Sequence, residues 1–218
     1  MDLADATLDE LRDALAPAIA ANAAFDGWNP AGLDAAADSL HVDRDVARLA
    51  FSDGAVAMID AWFAHVDREM AARFTPEALA AMKIRTRITA LVETRLAILV
   101  TNREALRRAI AILAMPQNAL RAAKLGWRSA DMMWRLAGDT ATDYNHYTKR
   151  ALLGSIYAAT IAVFLQDDSD GHADTRAFLG RRIEGIMKFE KAKAGFLART
   201  SHRPSLSRFI GRLRYPVV

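Results

Sequence analysis

Apolar residues recur along most of this chain at the three- and four-residue spacing of an amphipathic helix. Segments with this spacing alternate with short breaks rich in Gly, Pro, Ser or Asp. The predicted helices cover residues 7–23, 44–51, 55–73, 102–113, 116–136, 142–165 and 173–200. Two more are predicted: a short helix that ends at Leu40, and a helix that begins at 75–77 and carries a buried apolar stripe from Ile84 to Leu99. The pattern therefore predicts an all-α protein.

Two of these helices have strong start signals. Thr7 followed by Glu10 has the spacing of a capping box, in which each side chain satisfies a backbone N–H at the helix start. The T-P-E sequence at Thr75–Glu77 combines an N-cap residue, a proline at the first helical position and an acid in the first turn. The clearest loop is Q-D-D-S-D-G, at 166–171.

Composition narrows the class of protein. Of the 218 residues, 52% are apolar, which is enough for a sizeable core. The chain has no cysteine, which excludes disulfides, thiolate metal sites and cysteine nucleophiles. The acidic N-terminus does not resemble a secretory signal. The uncharged run from Ala151 to Leu165 is shorter than the roughly 20 residues of a membrane span, so we expect no transmembrane helix.

Charge is distributed unevenly. Residues 1–60 hold twelve acids and three arginines, a net charge of −9, whereas residues 181–218 hold ten bases and two acids, a net charge of +8. The order short helix, tight turn, short helix, longer helix within residues 1–75 is that of a helix-turn-helix domain. The turn and second helix of this domain contain Asp43 and Asp45, and the only cations of that segment are Arg44 and Arg48. Because DNA affinity depends on phosphate neutralisation, we expect no nucleic-acid binding.

The last twenty residues carry five arginines and no acid. Within them Pro204 suits a helix start, and Pro216 suits a stop. One apolar face with two arginines beside it is formed by Leu206, Phe209, Ile210 and Leu213, with Arg208 and Arg212. A helix this short needs a surface to stabilise it: the rest of the chain, an anionic membrane or a protein partner.

The most unusual stretch is G-D-T-A-T-D-Y-N-H-Y-T-K-R, from Gly138 to Arg150. Asp139, Asp143 and His146 share a helix face, but they supply only part of a metal site, and the other histidines are isolated. We therefore predict no catalytic residue, no metal and no cofactor. Gly138 suits a helix end, and T-A-T-D at 140–143 has the form of a capping box.

Residues 134–157, W-R-L-A-G-D-T-A-T-D-Y-N-H-Y-T-K-R-A-L-L-G-S-I-Y, closely resemble the ninth Coq protein family of ubiquinone-biosynthesis accessory proteins. The segments F-L-Q-D-D-S at 164–169, F-L-G-R-R-I at 178–183 and A-I-L-A-M-P-Q-N-A at 111–119 extend the resemblance over roughly residues 110 to 187. It implies a TetR-like helical bundle with a degenerate N-terminal helix-turn-helix. It also implies a non-enzymatic accessory protein that binds an isoprenoid quinone lipid and assists a demethoxyubiquinone hydroxylase.

The resemblance, joined to side-chain chemistry, suggests three sets of site residues. The expected partner face consists of Asp143, Tyr144, His146, Tyr147 and Arg150. Met and aromatic side chains adapt to lipid chains, and the expected lipid-lining residues are Met115, Met132, Met133, Trp134, Ile156, Ile161 and Phe164. The expected membrane contacts are the six tail residues named above, in the segment Pro204–Tyr215. Family members often have Trp at the position of His146, so this chain has less apolar area there.

The predicted organisation is a helix-turn-helix region at 1–75, a lipid-binding helical domain at 76–200 and a basic tail at 201–218. We expect a homodimer, as is usual for TetR-like folds, peripheral on the cytoplasmic membrane of a bacterium. The alternative is a TetR-like transcriptional regulator with a lipophilic effector.

Overall fold

The computed structural model describes residues 3–140, 142 and 144–200. This part of the chain is helical and contains no strand, which confirms the all-α prediction. The described residues form ten α-helices in the order α1 (Leu8–Ala23), α2 (Pro30–Ser39), α3 (Arg44–Ala50), α4 (Ala55–Ala72), α5 (Pro76–Ala80), α6 (Ile84–Leu99), α7 (Arg103–Leu113), α8 (Ala119–Leu136), α9 (Tyr144–Phe164) and α10 (Ala173–Thr200). None of these helices is long and apolar enough to cross a membrane, among the residues described.

A division between Leu179 and Gly180 separates two compact units, and the packing described below is that of the first. The boundary predicted between residues 75 and 76 falls inside this unit. Helix α4 lies at its centre and packs against α1, α6, α7 and α8. The pair α8 and α9 packs along its length, and Gly154 of α9 lies close to the Gly126 carbonyl of α8.

The predicted helix starts are confirmed. The Thr7 hydroxyl accepts from the Glu10 N–H, and the Glu10 carboxylate accepts from the Thr7 N–H, which completes the capping box. Thr75 caps α5, with Pro76 at the first helical position. Helix α5 ends at Ala80, however, and α6 begins separately at Ile84, so the start signal and the apolar stripe belong to different helices.

Helices α2 and α3 form the predicted helix-turn-helix. The turn places His41 at φ 57°, and the Val42 N–H then donates to the Ala37 carbonyl at 2.9 Å. Trp28, before α2, is buried and stacks at 5.3 Å on Trp62 of α4, while its indole N–H donates to the carbonyl of Ala105 in α7. The helix-turn-helix is thus attached to the rest of the bundle through a buried tryptophan pair.

A polar cluster lies inside the apolar core and joins α4, α6, α8 and α9. Asp67 and Arg95 are almost fully buried, with Nη1 of Arg95 at 2.5 Å from Oδ1 of Asp67. The second Asp67 oxygen accepts from Ser129, and Nε of Arg95 donates to the Tyr157 hydroxyl at 2.7 Å. Burial disfavours the charged arginine, but Tyr157 and Asp67 outweigh it and raise the pKa of Arg95.

The Q-D-D-S-D-G loop is confirmed between α9 and α10. The Asp167 carboxylate accepts from Ser169 and from both the N–H and the hydroxyl of Thr175 in the first turn of α10. The hydrogen bonds from Ser169 and Thr175 lower the pKa of Asp167 strongly, because they favour the ionised form. The loop therefore positions the start of α10.

Candidate functional site

The candidate site begins where α8 ends. Gly138 has φ 88°, its N–H donates to the Arg135 carbonyl, and the Asp139 N–H donates to the Trp134 carbonyl, which is a Schellman motif. A Cβ on Gly138 would stand 3.3 Å from Nη1 of Arg87, which itself donates to the Ala137 carbonyl. The prediction that Gly138 ends a helix is confirmed.

The start of α9 differs from the predicted capping box. The helix begins at Tyr144, so Thr140 lies four residues before the first helical residue and is not its N-cap. Asp139, just before this start, makes ion pairs with residues inside the helix. Its carboxylate lies 2.6 Å from Nζ of Lys149 and 3.0 Å from Nη1 of Arg150.

Arg150 connects the residues of this turn through its hydrogen bonds, and its side chain is only 2% exposed. Nε donates to Asp131 of α8 at 2.5 Å, and Nη1 donates both to Asp139 and to the His146 carbonyl at 3.1 Å. Arg150 was expected on the partner face. The structure places it beneath that face, because the carboxylates that satisfy its guanidinium lie on the inner side of the turn.

Burial and ion pairing oppose each other at this cluster. Burial alone would raise the pKa of Asp139, but the hydrogen bonds from Lys149 and Arg150 outweigh it and the pKa is lowered. Burial would likewise lower the pKa of Arg150, but hydrogen bonds to Asp131 and Asp139 raise it. Both groups are thus held in their charged forms, so this cluster is suited to fixing a turn and not to exchanging protons.

Three aromatic rings lie outside the ion-pair cluster and form what we call the aromatic cluster: Trp127, His146 and Tyr147. The Trp127 ring centroid is 6.3 Å from that of His146 and 6.0 Å from that of Tyr147, and the last two are 5.1 Å apart, edge to face. Tyr147 is 61% exposed and Trp127 is 37% exposed. Amphipathic aromatics held by ring contacts at a surface are typical of protein interfaces.

Trp127 was not predicted from the sequence. The family resemblance led us to expect less apolar area at the position of His146. The structure supplies an indole at the same place from the neighbouring helix α8. Its position one turn before Asp131, the partner of Arg150, was the available signal, but it has meaning only once α8 is known to pack on α9.

A surface cavity of about 440 Å³ adjoins the aromatic cluster. It is lined by Arg135, Asp139, Thr140, Thr142, His146, Tyr147 and Arg150. Its walls carry hydroxyls and charged groups, so it is suited to a polar side chain or head group and not to an isoprenoid chain. Within the described residues, no three Asp, Glu or His side chains come together in a way that could hold a metal ion.

The expected lipid-lining residues are dispersed. Met133, Ile156, Ile161 and Phe164 are buried in the core, whereas Met115 is 44% exposed before α8. Met132 and Trp134 are partly exposed. The Trp134 indole N–H donates to the Lys149 carbonyl at 3.0 Å, and the Lys149 ammonium lies over its ring. Trp134 therefore fastens α8 to the start of α9.

Several predicted site residues fall outside the described part of the chain. These are Asp143, the side chain of Tyr144, and the tail residues Leu206, Arg208, Phe209, Ile210, Arg212 and Leu213.

The helix-turn-helix is the second candidate site, and both of its arginines are paired. Arg44 makes two hydrogen bonds to Asp38, at 2.8 and 2.5 Å. Arg48 makes two to Asp34, at 3.0 and 2.6 Å, and a third to Asp45. A phosphate would have to displace these carboxylates from the guanidinium groups.

Comparison with known proteins matches residues 119–190 to the COQ9 family model, a range that begins with α8 and includes α9 and the whole candidate site. Over this range the chain is similar to the COQ9 family. It is 35% identical over 167 residues to the ubiquinone biosynthesis protein COQ9, mitochondrial, of Rattus norvegicus, covering 74% of this chain and 54% of the relative. It is 43% identical over 96 residues to the protein of the same name in Homo sapiens, covering 44% of this chain and 30% of the relative.

The chain thus spans about half the length of the rat relative. Among solved structures, the chain is similar to a TetR transcriptional regulator from Nitrosomonas europaea ATCC 19718. The TM-score is 0.62 at 24% identity, over 80% of this chain and 97% of that one. The chain therefore has a TetR-like fold, as the family resemblance implied.

Proposed function

We propose that this protein is a non-enzymatic accessory protein of ubiquinone biosynthesis that binds an isoprenoid quinone intermediate and presents it to a demethoxyubiquinone hydroxylase-like protein. The relatives named as ubiquinone biosynthesis proteins support the pathway. The observation that carries the proposal is the aromatic cluster, which lies within the residues that match the family.

The aromatic cluster has the properties of a docking surface. Tyr147 and Trp127 are exposed, yet their mutual contacts and the ion pairs of Arg150 beneath them restrict their motion, so little side-chain entropy is lost on binding. Interfaces concentrate their energy in such rigid aromatic anchors. The adjoining polar cavity can accept a polar side chain of the partner.

A binding assay with the purified hydroxylase tests the docking part. Replacing His146 and Tyr147 together by Ala should abolish capture of the hydroxylase, because two members of the aromatic cluster are removed. The matched control is Leu49→Ala on α3, which removes an equally exposed apolar side chain elsewhere. Undiminished capture by the double variant would contradict the docking proposal.

The lipid part of the proposal rests on the family resemblance and on the Met and aromatic content of α8 and α9. Native mass spectrometry of the purified protein should reveal a bound prenylated quinone or isoprenoid, which organic extraction then identifies. Met133→Glu, which puts a charge among the buried residues, should remove the lipid, whereas Leu49→Glu, at an exposed position of α3, should not. Protein that is always lipid-free would contradict this part.

The tail segment Pro204–Tyr215 is proposed to contact an anionic membrane, which in a bacterium is the cytoplasmic membrane. Deleting residues 204–218 should weaken flotation with anionic vesicles. A homodimer is part of the same proposal, and sedimentation equilibrium measures it directly.

The alternative is a TetR-like transcriptional regulator with a lipophilic effector, and the likeness to the Nitrosomonas regulator favours it. The paired arginines of α3 weigh against it, since no cation of that helix is left for phosphate. A gel-shift assay with genomic fragments decides: sequence-specific, salt-sensitive retention would replace the accessory-protein proposal.

A further inference from the structure

The outer face of α8 differs from every other exposed surface described so far. Leu120 is 70% exposed and Trp127 is 37% exposed. They lie seven residues, or two turns, apart, so they stand on one side of the helix. Ala123 and Lys124, between them, are also exposed. The opposite side of α8 buries Leu125, Ser129, Ala130 and Met133. An apolar stripe thus faces outward although the helix already has a complete buried face.

The charges that α8 itself contributes beside this stripe are positive. Residues 115–130 contain no acid and three cations, Arg121, Lys124 and Arg128. Arg121 and Arg128 pair with Asp53 and Asp60, but both guanidinium-bearing side chains stay well exposed, at 51% and 39%. Lys124 forms no ion pair with any residue in the described part of the chain. Met115, exposed in the turn before α8, adds apolar area at the same end.

We infer that this α8 face, consisting of Met115, Leu120 and Lys124 and bordered by Trp127 of the aromatic cluster, is a membrane-contact surface for an anionic bilayer. Leu and Met enter the acyl boundary, an indole is favoured at the interfacial level, and Lys and Arg reach the phosphate groups of the lipids. The inference concerns residues other than the tail and adds a second place of membrane contact to the proposed function.

The test uses the full chain and unilamellar vesicles of equal parts phosphatidylglycerol and phosphatidylcholine. Trp28 and Trp62 are buried, so Trp127 is the most accessible of the four tryptophans. Lipids brominated on the acyl chain should quench its fluorescence, and Trp127→Phe should remove the quenched component. Vesicles of phosphatidylcholine alone should quench much less, because the cations then have no anionic partner.

Charge and apolar variants locate the contact. Lys124→Glu should lower the vesicle partition coefficient about fivefold or more, since one cation near an anionic surface contributes roughly that factor. Leu120→Asp should lower it about tenfold. Lys83→Glu and Leu49→Asp make the same changes at other exposed positions and should leave it within twofold.

Three outcomes would overturn the inference. Protein that floats with vesicles while Trp127 stays unquenched contacts the membrane elsewhere. Equal effects of Leu120→Asp and Leu49→Asp would mean that α8 has no special part. Weakened capture of the hydroxylase by Leu120→Asp, with unchanged quenching, would make the α8 face a protein interface. The lipid and docking tests of the proposed function use other variants, at Met133 and at His146 with Tyr147, so the two proposals can fail separately.

Discussion

The helix-turn-helix and the α8–α9 turn use the same residue types in opposite ways. In both regions arginines stand near several aspartates. In α3, Arg44 and Arg48 pair with carboxylates at the surface, where 54% and 50% of their side chains remain exposed. At the α8–α9 turn, Arg150 turns inward, and the carboxylates of Asp131 and Asp139 enclose it. The ion pairs of α3 neutralise charge on its surface, whereas those of Arg150 fix the turn that lies beneath the aromatic cluster.

The energetic consequences differ accordingly. Exposed ion pairs contribute about 0–1 kcal/mol, because water competes for both partners. A buried pair contributes little net stability when formed, but breaking it leaves a desolvated charge and costs several kcal/mol. We therefore expect the helix-turn-helix to tolerate loss of its arginines and the α8–α9 turn not to tolerate loss of Arg150.

The largest effect should come from making the same substitution at the buried arginine and at an exposed one, and comparing the loss of stability. Arg150→Met should lower the free energy of unfolding by about 3 kcal/mol, the lower end of the range for a broken buried pair, because Asp131 and Asp139 retain Arg135 and Lys149. Arg48→Met should cost less than about 1 kcal/mol. Urea unfolding measures both. Equal losses would remove the distinction between the two regions.

The next effect concerns the surface that Arg150 supports. Trp127→Ala should raise the Kd for the hydroxylase about 30-fold, which is about 2 kcal/mol, as expected for a central aromatic anchor. His146→Trp should change the Kd less than about threefold, because Trp127 already supplies an indole there. Phe25→Ala, at an 83% exposed ring, is the control. A large gain from His146→Trp would show that Trp127 does not substitute for a Trp at that position.

A smaller effect, on DNA binding, should appear when the arginines of the helix-turn-helix are freed from their carboxylate partners. Replacing Asp34, Asp38, Asp43 and Asp45 together by Asn removes the carboxylates around Arg44 and Arg48. Weak, non-specific retention of duplex DNA should then appear at low salt and disappear at about 0.2 M salt. The unchanged protein should show none. Retention by the unchanged protein would mean that its ion pairs yield to phosphate.

The smallest effect is a pH dependence. The Asp139 pKa is lowered in the folded state, so ionised Asp139 stabilises the fold above the unfolded-state pKa of about 4, and this contribution is lost as the pH falls below that value. Asp139→Asn should therefore flatten the acid limb of the unfolding free energy. The Arg44 hydrogen bonds also lower the pKa of Asp38, but this group is exposed and Asp38→Asn should change the limb less. Steeper acid loss in Asp139→Asn would contradict this sign.

Local signals predicted the helices well because their causes are local. The capping box at Thr7, the Thr75–Pro76 start and the Gly138 stop depend on residues within one turn, and all three are present. The break between α5 and α6 was not predicted, because Arg87 stabilises it by donating to the carbonyls of Ala80 and Met82 and to that of Ala137 fifty residues later.

The sequence by itself determined an all-α chain with an acidic helix-turn-helix, a basic end and a family motif at the α8–α9 turn. Only the tertiary structure decided that Arg150 is buried, that Trp127 joins His146 and Tyr147, and that Asp67 pairs with Arg95 in the core. The physical reason is that a helix's backbone follows from its own residues. The direction of a long side chain depends instead on acceptors and rings supplied by other helices, whose packing the spacing of apolar residues does not specify.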